Sequence, residues 1–315
     1  SYMKSPCTAI VFCAVTHPRW LWPVDRLSDY CFEILPLDPT QSIPQDFDVS
    51  SVQIMVASPK DAKAFAPLFP NLRWIQSTWA GIDALAQSIP VGVAVTPLKG
   101  VFGQAMSEFV LGWILSIERQ IMQRAKAMTW DPRPETGVPG KVMGILGTGS
   151  IGSAIAAAAE PLGIRCRGMN STGESRPGFE QCFKSGDQHF FEGLDYAVSV
   201  LPKTPETDQI LGASAFSAMN NDGIVINVGR GNAVDEDALL TALNNHLIKA
   251  AVLDVFDVEP LPEGHPFWQH PRTFVTSHTA APTAGDLVAI AMKTNLDRYL
   301  AGDTLQGLYS ETKGY

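Results

Sequence analysis

The sequence has few charged residues and no excess of basic ones. Only 17% of its 315 residues are charged, and 23 Lys and Arg stand against 32 Asp and Glu, which gives a net charge of -9. Such a chain lacks the basic surface that a general phosphate-backbone binder needs, so nucleic acid is not an expected partner. Hydrophobic residues make up 45% of the chain, which excludes a disordered or fibrous protein.

Long apolar runs, paired cysteines and clustered metal ligands are also missing. No stretch of about 18 uncharged apolar residues occurs, and residues 8–15 are too short and too strand-like for a secretory signal. The five cysteines form no CxxC and no metal-ligand spacing with histidine. An odd number of unpatterned cysteines is typical of reduced, structural thiols. We therefore expect a cytoplasmic protein with no membrane segment and no metal.

Short apolar runs alternate with helical stretches along most of the chain, which predicts parallel sheets with crossover helices. A helical run at residues 103–128 and a loop with three prolines at residues 129–140 divide the chain, so a second α/β unit begins near residue 103 or 141. The predicted strands are residues 8–15, 53–58, 73–78, 92–97, 142–146, 164–169, 196–201, 223–228, 250–255 and 273–276. The other predicted helices are residues 60–69, 82–87, 151–162, 235–244 and 283–300.

A GxGxxG motif at Gly147, Gly149 and Gly152 directly follows a predicted strand and precedes an alanine-rich helix. In this context the first glycine permits a tight turn, the second lets the backbone approach a pyrophosphate, and the third allows close helix–strand packing. The motif predicts a dinucleotide site, and the alternative is an ordinary glycine turn. The predicted cofactor contacts in this loop are Gly147, Thr148, Gly149, Ser150 and Ile151.

The next strand ends without the acidic residue that usually binds the ribose hydroxyls of NAD. Asn170, Ser171 and Thr172 stand there, and the first acid downstream is Glu174. Amide and hydroxyl groups can donate to a 2′-phosphate, which an Asp would repel, and two nearby arginines can add charge. We therefore predict cofactor contacts at these three residues and a preference for NADP. Loose binding of NAD is the alternative.

Three later predicted strands each end in polar residues, where ligands bind in open α/β sheets. Arg230, Glu259 and His278 follow these strands. Hydride delivery to a carbonyl carbon leaves charge on oxygen, which histidine can protonate because it titrates near neutrality. A neighbouring carboxylate favours the imidazolium, and arginine can bind a substrate carboxylate through two hydrogen bonds. Each residue alone has a structural alternative, but together they form a plausible reductase set.

Five motifs occur in a fixed order from the glycine loop onwards. They are residues 144–152 (GILGTGSIG), 201–207 (LPKTPET), 227–231 (NVGRG), 253–256 (LDVF) followed by Glu259 and Pro260, and 277–280 (SHTA). Together they resemble the D-isomer-specific 2-hydroxyacid dehydrogenase family, and within it the glyoxylate/hydroxypyruvate reductase branch. The match runs from about residue 73 to the end.

The resemblance implies two Rossmann-like or flavodoxin-like domains with parallel sheets. A dinucleotide-binding domain at residues 103–283 would be inserted into a substrate domain formed by residues 1–102 and 284–315. Homodimers are usual in the family, so the resemblance also implies a homodimer.

The resemblance further implies a role for individual residues. Arg230 would bind the 2-oxo acid, His278 would be the general acid/base, and Glu259 would pair with it. Asp254 would hold the nicotinamide carboxamide, or alternatively cap a strand end. Further cofactor contacts would be Leu201, Pro202, Thr207, Val228, Gly229, His278 and Ala280. The substrate-domain loop whose backbone N–H groups receive the carboxylate corresponds to Trp79, Ala80 and Gly81, where Trp79 replaces the small residue that is common there.

The expected activity is NAD(P)H-dependent reduction of a small 2-oxo acid, glyoxylate or hydroxypyruvate, to the D-2-hydroxy acid. A bulkier 2-oxo acid is one alternative substrate. A dinucleotide-sensing binding protein without catalysis is an alternative of a different class.

Overall fold

The computed structural model describes residues 9–14, 32–37, 42–132, 135, 137–283 and 285–310. By its internal contacts the chain divides into two compact units. The first combines residues 1–101 with 283–315, and the second comprises residues 102–282. The second unit is therefore inserted in sequence between the two parts of the first. No helix in the described ranges is both long enough and apolar enough to cross a membrane.

Strands and helices alternate through both units. In chain order the elements are β1 (Ala9–Ala14), β2 (Phe32–Leu37), β3 (Val52–Ala57), α1 (Pro59–Phe65), β4 (Trp74–Ser77), α2 (Asp83–Ala86), β5 (Ala94–Thr96), α3 (Gly103–Glu118), α4 (Ile121–Ala125), β6 (Val142–Leu146), α5 (Ser150–Ala159), β7 (Arg165–Asn170), β8 (Gln181–Lys184), β9 (Tyr196–Ser199), α6 (Ala213–Ala218), β10 (Ile224–Asn227), α7 (Glu236–Asn244), β11 (Ala250–Leu253), α8 (Pro266–Gln269), β12 (Thr273–Val275) and α9 (Gly285–Ala301). Short 3-10 turns connect several of them.

The first unit is built on a five-stranded parallel sheet with the strand order β2-β1-β3-β4-β5. Strands β3 and β4 are buried along almost their whole length, as is typical of a parallel sheet with both faces covered. Helix α1 follows β3 immediately because Ser58 caps it: the Ser58 hydroxyl accepts a hydrogen bond from the Asp61 N–H at 3.2 Å, and Pro59 occupies the first helical position.

The second unit contains a seven-stranded parallel sheet with the order β12-β11-β10-β9-β6-β7-β8. Chain order reverses around β6, since β7 and β8 lie on one side of it and β9 to β12 on the other. One face of the sheet packs on α3 and α5 and the other on α6 and α7. Open sheets of this kind bind ligands at the carboxyl ends of the strands beside the reversal, which lie at the ends of β6, β7 and β9.

The predicted two-unit α/β architecture is confirmed, but several elements differ from the sequence prediction. The predicted helix at residues 103–128 is broken: α3 ends at Glu118, and Gln120 adopts a left-handed backbone (φ 49°) before α4 begins. Apolar residues continue across the break, so their spacing does not reveal it. Strands β2 and β8 and helix α6 were not predicted; β8 has only four residues and lies at the sheet edge.

The break after α3 coincides with a buried carboxylate. Glu118 accepts a hydrogen bond from the Tyr196 hydroxyl at 3.3 Å and pairs with Lys141 at 2.9 Å and Lys249 at 3.5 Å. Burial, reinforced by the Glu118 charge, raises the pKa of the Tyr196 phenol. The partners of Glu118 lie at the amino ends of β6, β9 and β11, so this cluster anchors α3 at the sheet edge opposite the ligand-binding one.

The two cysteines in the second unit are free thiols with different surroundings. Cys166 on β7 is buried and Cys182 on β8 is partly buried. Burial raises the pKa of the Cys166 thiol to about 12, with a smaller contribution from Glu180 and Glu160. A buried thiol with a raised pKa is unreactive. Cys7 and Cys31 lie outside the described residues.

Candidate dinucleotide and catalytic site

The glycine loop between β6 and α5 adopts a conformation that requires glycine at two positions. Gly147 has a φ of +104°, and its N–H donates to the Met169 carbonyl at 2.9 Å. A Cβ on Gly152 would lie 1.9 Å from the Gly147 carbonyl oxygen. The loop and the first turn of α5 therefore pack too closely for any side chain at this position, as the motif predicted.

Helix α5 begins immediately after this loop, with Gly149 at its N-cap. Gly149 and Ser150 are exposed, and a Cβ on Gly149 would meet no atom within 4 Å. The backbone N–H groups of Ser150 and Ile151 belong to the helix's first turn, where no intrahelical acceptor exists. An accessible helix N-terminus of this kind fits a diphosphate. The buried Thr148 lies on the inner side of the loop.

The end of β7 is organised by the Asn170 side chain. Its Oδ1 accepts from the N–H of Gly173 at 2.7 Å and of Thr172 at 3.2 Å, while its amide nitrogen donates to the Thr148 hydroxyl at 3.1 Å. Ser171 and Thr172 are exposed in the resulting turn. The structure therefore brings Asn170, Ser171 and Thr172 next to the glycine loop, as the sequence predicts.

The predicted contacts that follow β9 and β10 lie at the same sheet edge. Leu201 and Pro202 are half-buried, and the Thr207 hydroxyl donates to the Pro202 carbonyl at 2.9 Å. Val228 is buried, and its N–H donates to the Ser199 carbonyl at 3.0 Å. The backbone conformation after these strands is thus fixed by local hydrogen bonds.

Arg230 lies on a loop that two glycines hold against neighbouring backbone. A Cβ on Gly229 would lie 2.6 Å from the Leu201 nitrogen and oxygen, and one on Gly231 would lie 1.8 Å from the Phe256 carbonyl carbon. The Arg230 guanidinium donates to the Gly229 carbonyl at 2.7 Å. The NVGRG motif therefore has a steric explanation, because only glycines allow this loop to approach the segments after β9 and β11 so closely.

Glu259 and His278 form a direct pair. The His278 Nδ1 lies 2.9 Å from Glu259 Oε2, and the other carboxylate oxygen accepts from the Phe256 N–H at 3.0 Å. The carboxylate thus accepts a hydrogen bond from Nδ1–H and leaves Nε2 as the ring nitrogen that faces away from Glu259. Both side chains are about one third exposed, at 34% and 37%. His278 adopts a left-handed backbone (φ 53°), an uncommon conformation that histidine tolerates better than most residues.

Asp254 anchors the loop that carries His278. Its carboxylate is buried and accepts from the Thr276 hydroxyl at 2.6 Å, the Thr279 N–H at 2.8 Å and the Ala280 N–H at 3.0 Å. The His278 N–H donates to the Asp254 carbonyl at 2.8 Å. These bonds give Asp254 the capping role considered as the alternative, and contact with a nicotinamide carboxamide stays a prediction.

The predicted substrate loop of the first unit follows β4. The Trp79 N–H donates to the Ser77 hydroxyl at 3.0 Å, so it is already engaged, and the indole is partly exposed. The N–H groups of Ala80 and Gly81 donate to no acceptor among the described residues. The prediction that backbone amides here receive a carboxylate therefore rests on Ala80 and Gly81 rather than on Trp79.

Some residues that shape the site were missed in the sequence. Thr276 and the Phe256 N–H hold the two acids Asp254 and Glu259, and Lys184 lies beside Asn170 across β7 and β8. The spacing of apolar residues does not indicate these contacts, because they depend on strand pairing and on loop conformation. Within the described ranges, no group of three or more His, Cys, Asp or Glu is arranged to hold a metal ion.

Comparison with known proteins agrees with this geometry. The sequence model for the D-isomer specific 2-hydroxyacid dehydrogenase, NAD binding domain, matches residues 111–280, which fall within the second unit. A glyoxylate/hydroxypyruvate reductase A from Serratia proteamaculans is 32% identical over 260 residues, which cover 78% of this chain and 82% of that protein.

Two solved structures extend the similarity over both units. A D-isomer specific 2-hydroxyacid dehydrogenase family protein from Aeromonas salmonicida is 33% identical with a TM-score of 0.86, covering 96% of this chain and 99% of that one. An NADPH-dependent glyoxylate/hydroxypyruvate reductase from Sinorhizobium meliloti, in complex with NADP and sulfate, is 25% identical with a TM-score of 0.85, covering 98% and 100%. The second unit thus carries a glycine loop, an arginine flanked by two glycines and a Glu–His pair at one sheet edge. Together with these similarities, this shows that the chain belongs to the D-isomer specific 2-hydroxyacid dehydrogenase family.

Proposed function

We propose that the protein reduces a small 2-oxo acid, glyoxylate or hydroxypyruvate, to the D-2-hydroxy acid with NADPH as the reductant. The observation that carries the proposal is the 2.9 Å contact between His278 Nδ1 and Glu259 Oε2 at the sheet edge that also bears the glycine loop. The Serratia and Sinorhizobium relatives are glyoxylate/hydroxypyruvate reductases, which supports the choice of substrate.

The Glu–His pair accounts for the proton. When bound, the reduced nicotinamide supplies a hydride to the carbonyl carbon of the substrate. His278 then donates a proton from Nε2 to the substrate oxygen, since Nδ1 faces Glu259. The Glu259 carboxylate stabilises the imidazolium before this transfer and holds the ring in one orientation.

Arg230 is the proposed group for the substrate carboxylate. Its guanidinium is permanently charged and can offer two parallel hydrogen bonds to a planar carboxylate. The loop that carries it contacts the Phe256 backbone through Gly231, and the Phe256 N–H in turn binds Glu259. The position of the anion-binding group is thereby linked to that of the proton donor. A role for the Ala80 and Gly81 amides in the first unit stays a prediction.

The preference for NADPH is inferred from the end of β7. No acid occupies this turn before Glu174, and Asn170, Ser171 and Thr172 present hydrogen-bonding groups instead. In this proposal residues 102–282 form the dinucleotide-binding domain and the first unit the substrate domain. A homodimer in the cytoplasm stays a prediction, which light scattering and fractionation would test.

The test is the loss of reduced-cofactor absorbance with NADPH and NADH in parallel, against glyoxylate, hydroxypyruvate, pyruvate and phenylpyruvate. The proposal predicts the highest kcat/KM for NADPH with glyoxylate or hydroxypyruvate. A preference for phenylpyruvate would refute the substrate, and a preference for NADH would refute the cofactor. No turnover with any pair, despite cofactor binding, would contradict the activity itself.

A further inference from the structure

The carboxyl end of β7 and β8 carries a cation that the dinucleotide motif does not include. Lys184 is the last residue of β8 and the register partner of Asn170 on β7. Neighbouring parallel strands lie about 4.8 Å apart, so the Lys184 backbone is one strand away from the predicted ribose-binding turn.

The turn after β7 folds back onto Lys184. Gly173 adopts a φ of +77°, and a Cβ there would lie 3.1 Å from the Lys184 nitrogen. The Ser185 N–H donates to the Asn170 carbonyl at 2.8 Å. These contacts hold Ser171 and Thr172 directly beside the point at which the Lys184 side chain leaves the sheet.

The Lys184 side chain is on the face of the sheet that carries the glycine loop. Phe183 packs on the opposite face, against Phe190 at 5.7 Å between ring centroids, and successive strand residues point to opposite faces. Lys184 therefore shares its face with Asn170, whose amide donates to Thr148.

The other cations near this edge are already engaged. Arg167 donates to the Glu192 carbonyl at 2.8 Å, and Arg176 lies 3.8 Å from the Glu174 carboxylate. Among the described residues the Lys184 ammonium has no ion pair or hydrogen bond, and neither does the Ser171 hydroxyl. A phosphate dianion binds best to a cation together with hydroxyl donors, and Lys184 is the cation at this turn that no described contact engages.

We propose that Lys184, together with the Ser171 hydroxyl, binds the 2′-phosphate of NADPH and thereby sets the preference for NADPH over NADH. This inference rests on the cofactor preference proposed above. An ammonium acts as a mobile point charge toward phosphate, which suits an exposed site whose turn is held rigid by Asn170.

The test is direct binding of cofactor fragments, so that catalysis does not enter the result. Calorimetry would compare 2′,5′-ADP with 5′-ADP, which lacks the 2′-phosphate, for the parent protein and for Lys184→Ala and Lys184→Arg. Lys184→Ala is expected to weaken 2′,5′-ADP about tenfold, or about 1.4 kcal/mol, and to leave 5′-ADP within twofold. Lys184→Arg should keep most of the affinity because the charge is retained. Lys63→Ala, an exposed lysine of α1 in the other unit, is the matched control and should change neither ligand.

The possible failures separate the two proposals. If the parent protein prefers 2′,5′-ADP and Lys184→Ala keeps that preference, the assignment of Lys184 is overturned and the NADPH proposal stands. If the parent protein binds both fragments equally, the cofactor preference is wrong and the Lys184 assignment is overturned with it. Because the site is exposed to solvent, the proposal also predicts that the preference for 2′,5′-ADP over 5′-ADP decreases as the salt concentration is raised.

Discussion

Replacing Gly231 by Ala tests whether the Arg230 loop and the Glu259–His278 pair are held together by backbone contact. The added Cβ would lie 1.8 Å from the Phe256 carbonyl carbon and 2.1 Å from the Asp257 nitrogen, where ordinary contacts begin near 3.4 Å. The two segments must therefore separate by about 1.6 Å. A displacement of about 1 Å in a catalytic group costs on the order of 100-fold in rate.

We therefore expect Gly231→Ala to lower kcat by about 100-fold or more, and forced overpacking to lower the free energy of unfolding by about 1–3 kcal/mol. Steady-state kinetics and urea denaturation would measure the two effects. Gly112→Ala is the matched control: it lies exposed in α3, and its Cβ would meet nothing within 4 Å. That variant should keep full activity and gain about 0.5–1 kcal/mol of stability. A Gly231→Ala protein with parental kcat would refute the reasoning.

Three further predictions concern the cofactor loop, the acid pair and a buried thiol. Gly152→Ala forces its Cβ to 1.9 Å from the Gly147 oxygen, so calorimetry should show cofactor affinity reduced at least tenfold; parental affinity would contradict this. Glu259→Gln keeps a hydrogen-bonding group but removes the charge beside His278, so kcat should fall about 100-fold with cofactor affinity unchanged; an unchanged kcat would count against the pair. The pKa of Cys166 is raised by burial from 9.0 to about 12, so the folded state holds its proton more tightly and the associated stability, full below pH 9, is lost as pH rises toward 12. Denaturation at several pH values should show a shallower loss above pH 9 in Cys166→Ala than in the parent protein, and equal slopes would contradict it.

The parts of the site that follow from local sequence were predictable. A GxGxxG motif between a strand and a helix has essentially one conformation, so the positions of Gly147 and Gly152 could be inferred from spacing alone. The strand-end residues Arg230, Glu259 and His278 could be inferred because the carboxyl ends of parallel strands meet at one edge.

Contacts that depend on register or on backbone packing were not predictable. The proximity of Lys184 to Asn170 requires the pairing of β7 with β8, and β8 is a four-residue edge strand that leaves a weak sequence signal. The close approach of Gly231 to Phe256 joins residues 25 positions apart in loops of irregular conformation. The helix break at Gln120 could not be predicted, because the helical spacing of apolar residues continues beyond it.

The central claim is that His278, oriented by Glu259, donates the proton in the reduction of a 2-oxo acid. Its most direct test is His278→Ala, measured for turnover with NADPH and glyoxylate or hydroxypyruvate and, in the same preparation, for cofactor affinity by fluorescence titration. The account predicts that kcat falls by at least 100-fold while the Kd for NADPH stays within about threefold of the parent value, since the glycine loop and the Asn170 turn hold the nucleotide without the imidazole. A variant that retained substantial turnover would show that the proton comes from another group and would contradict the account.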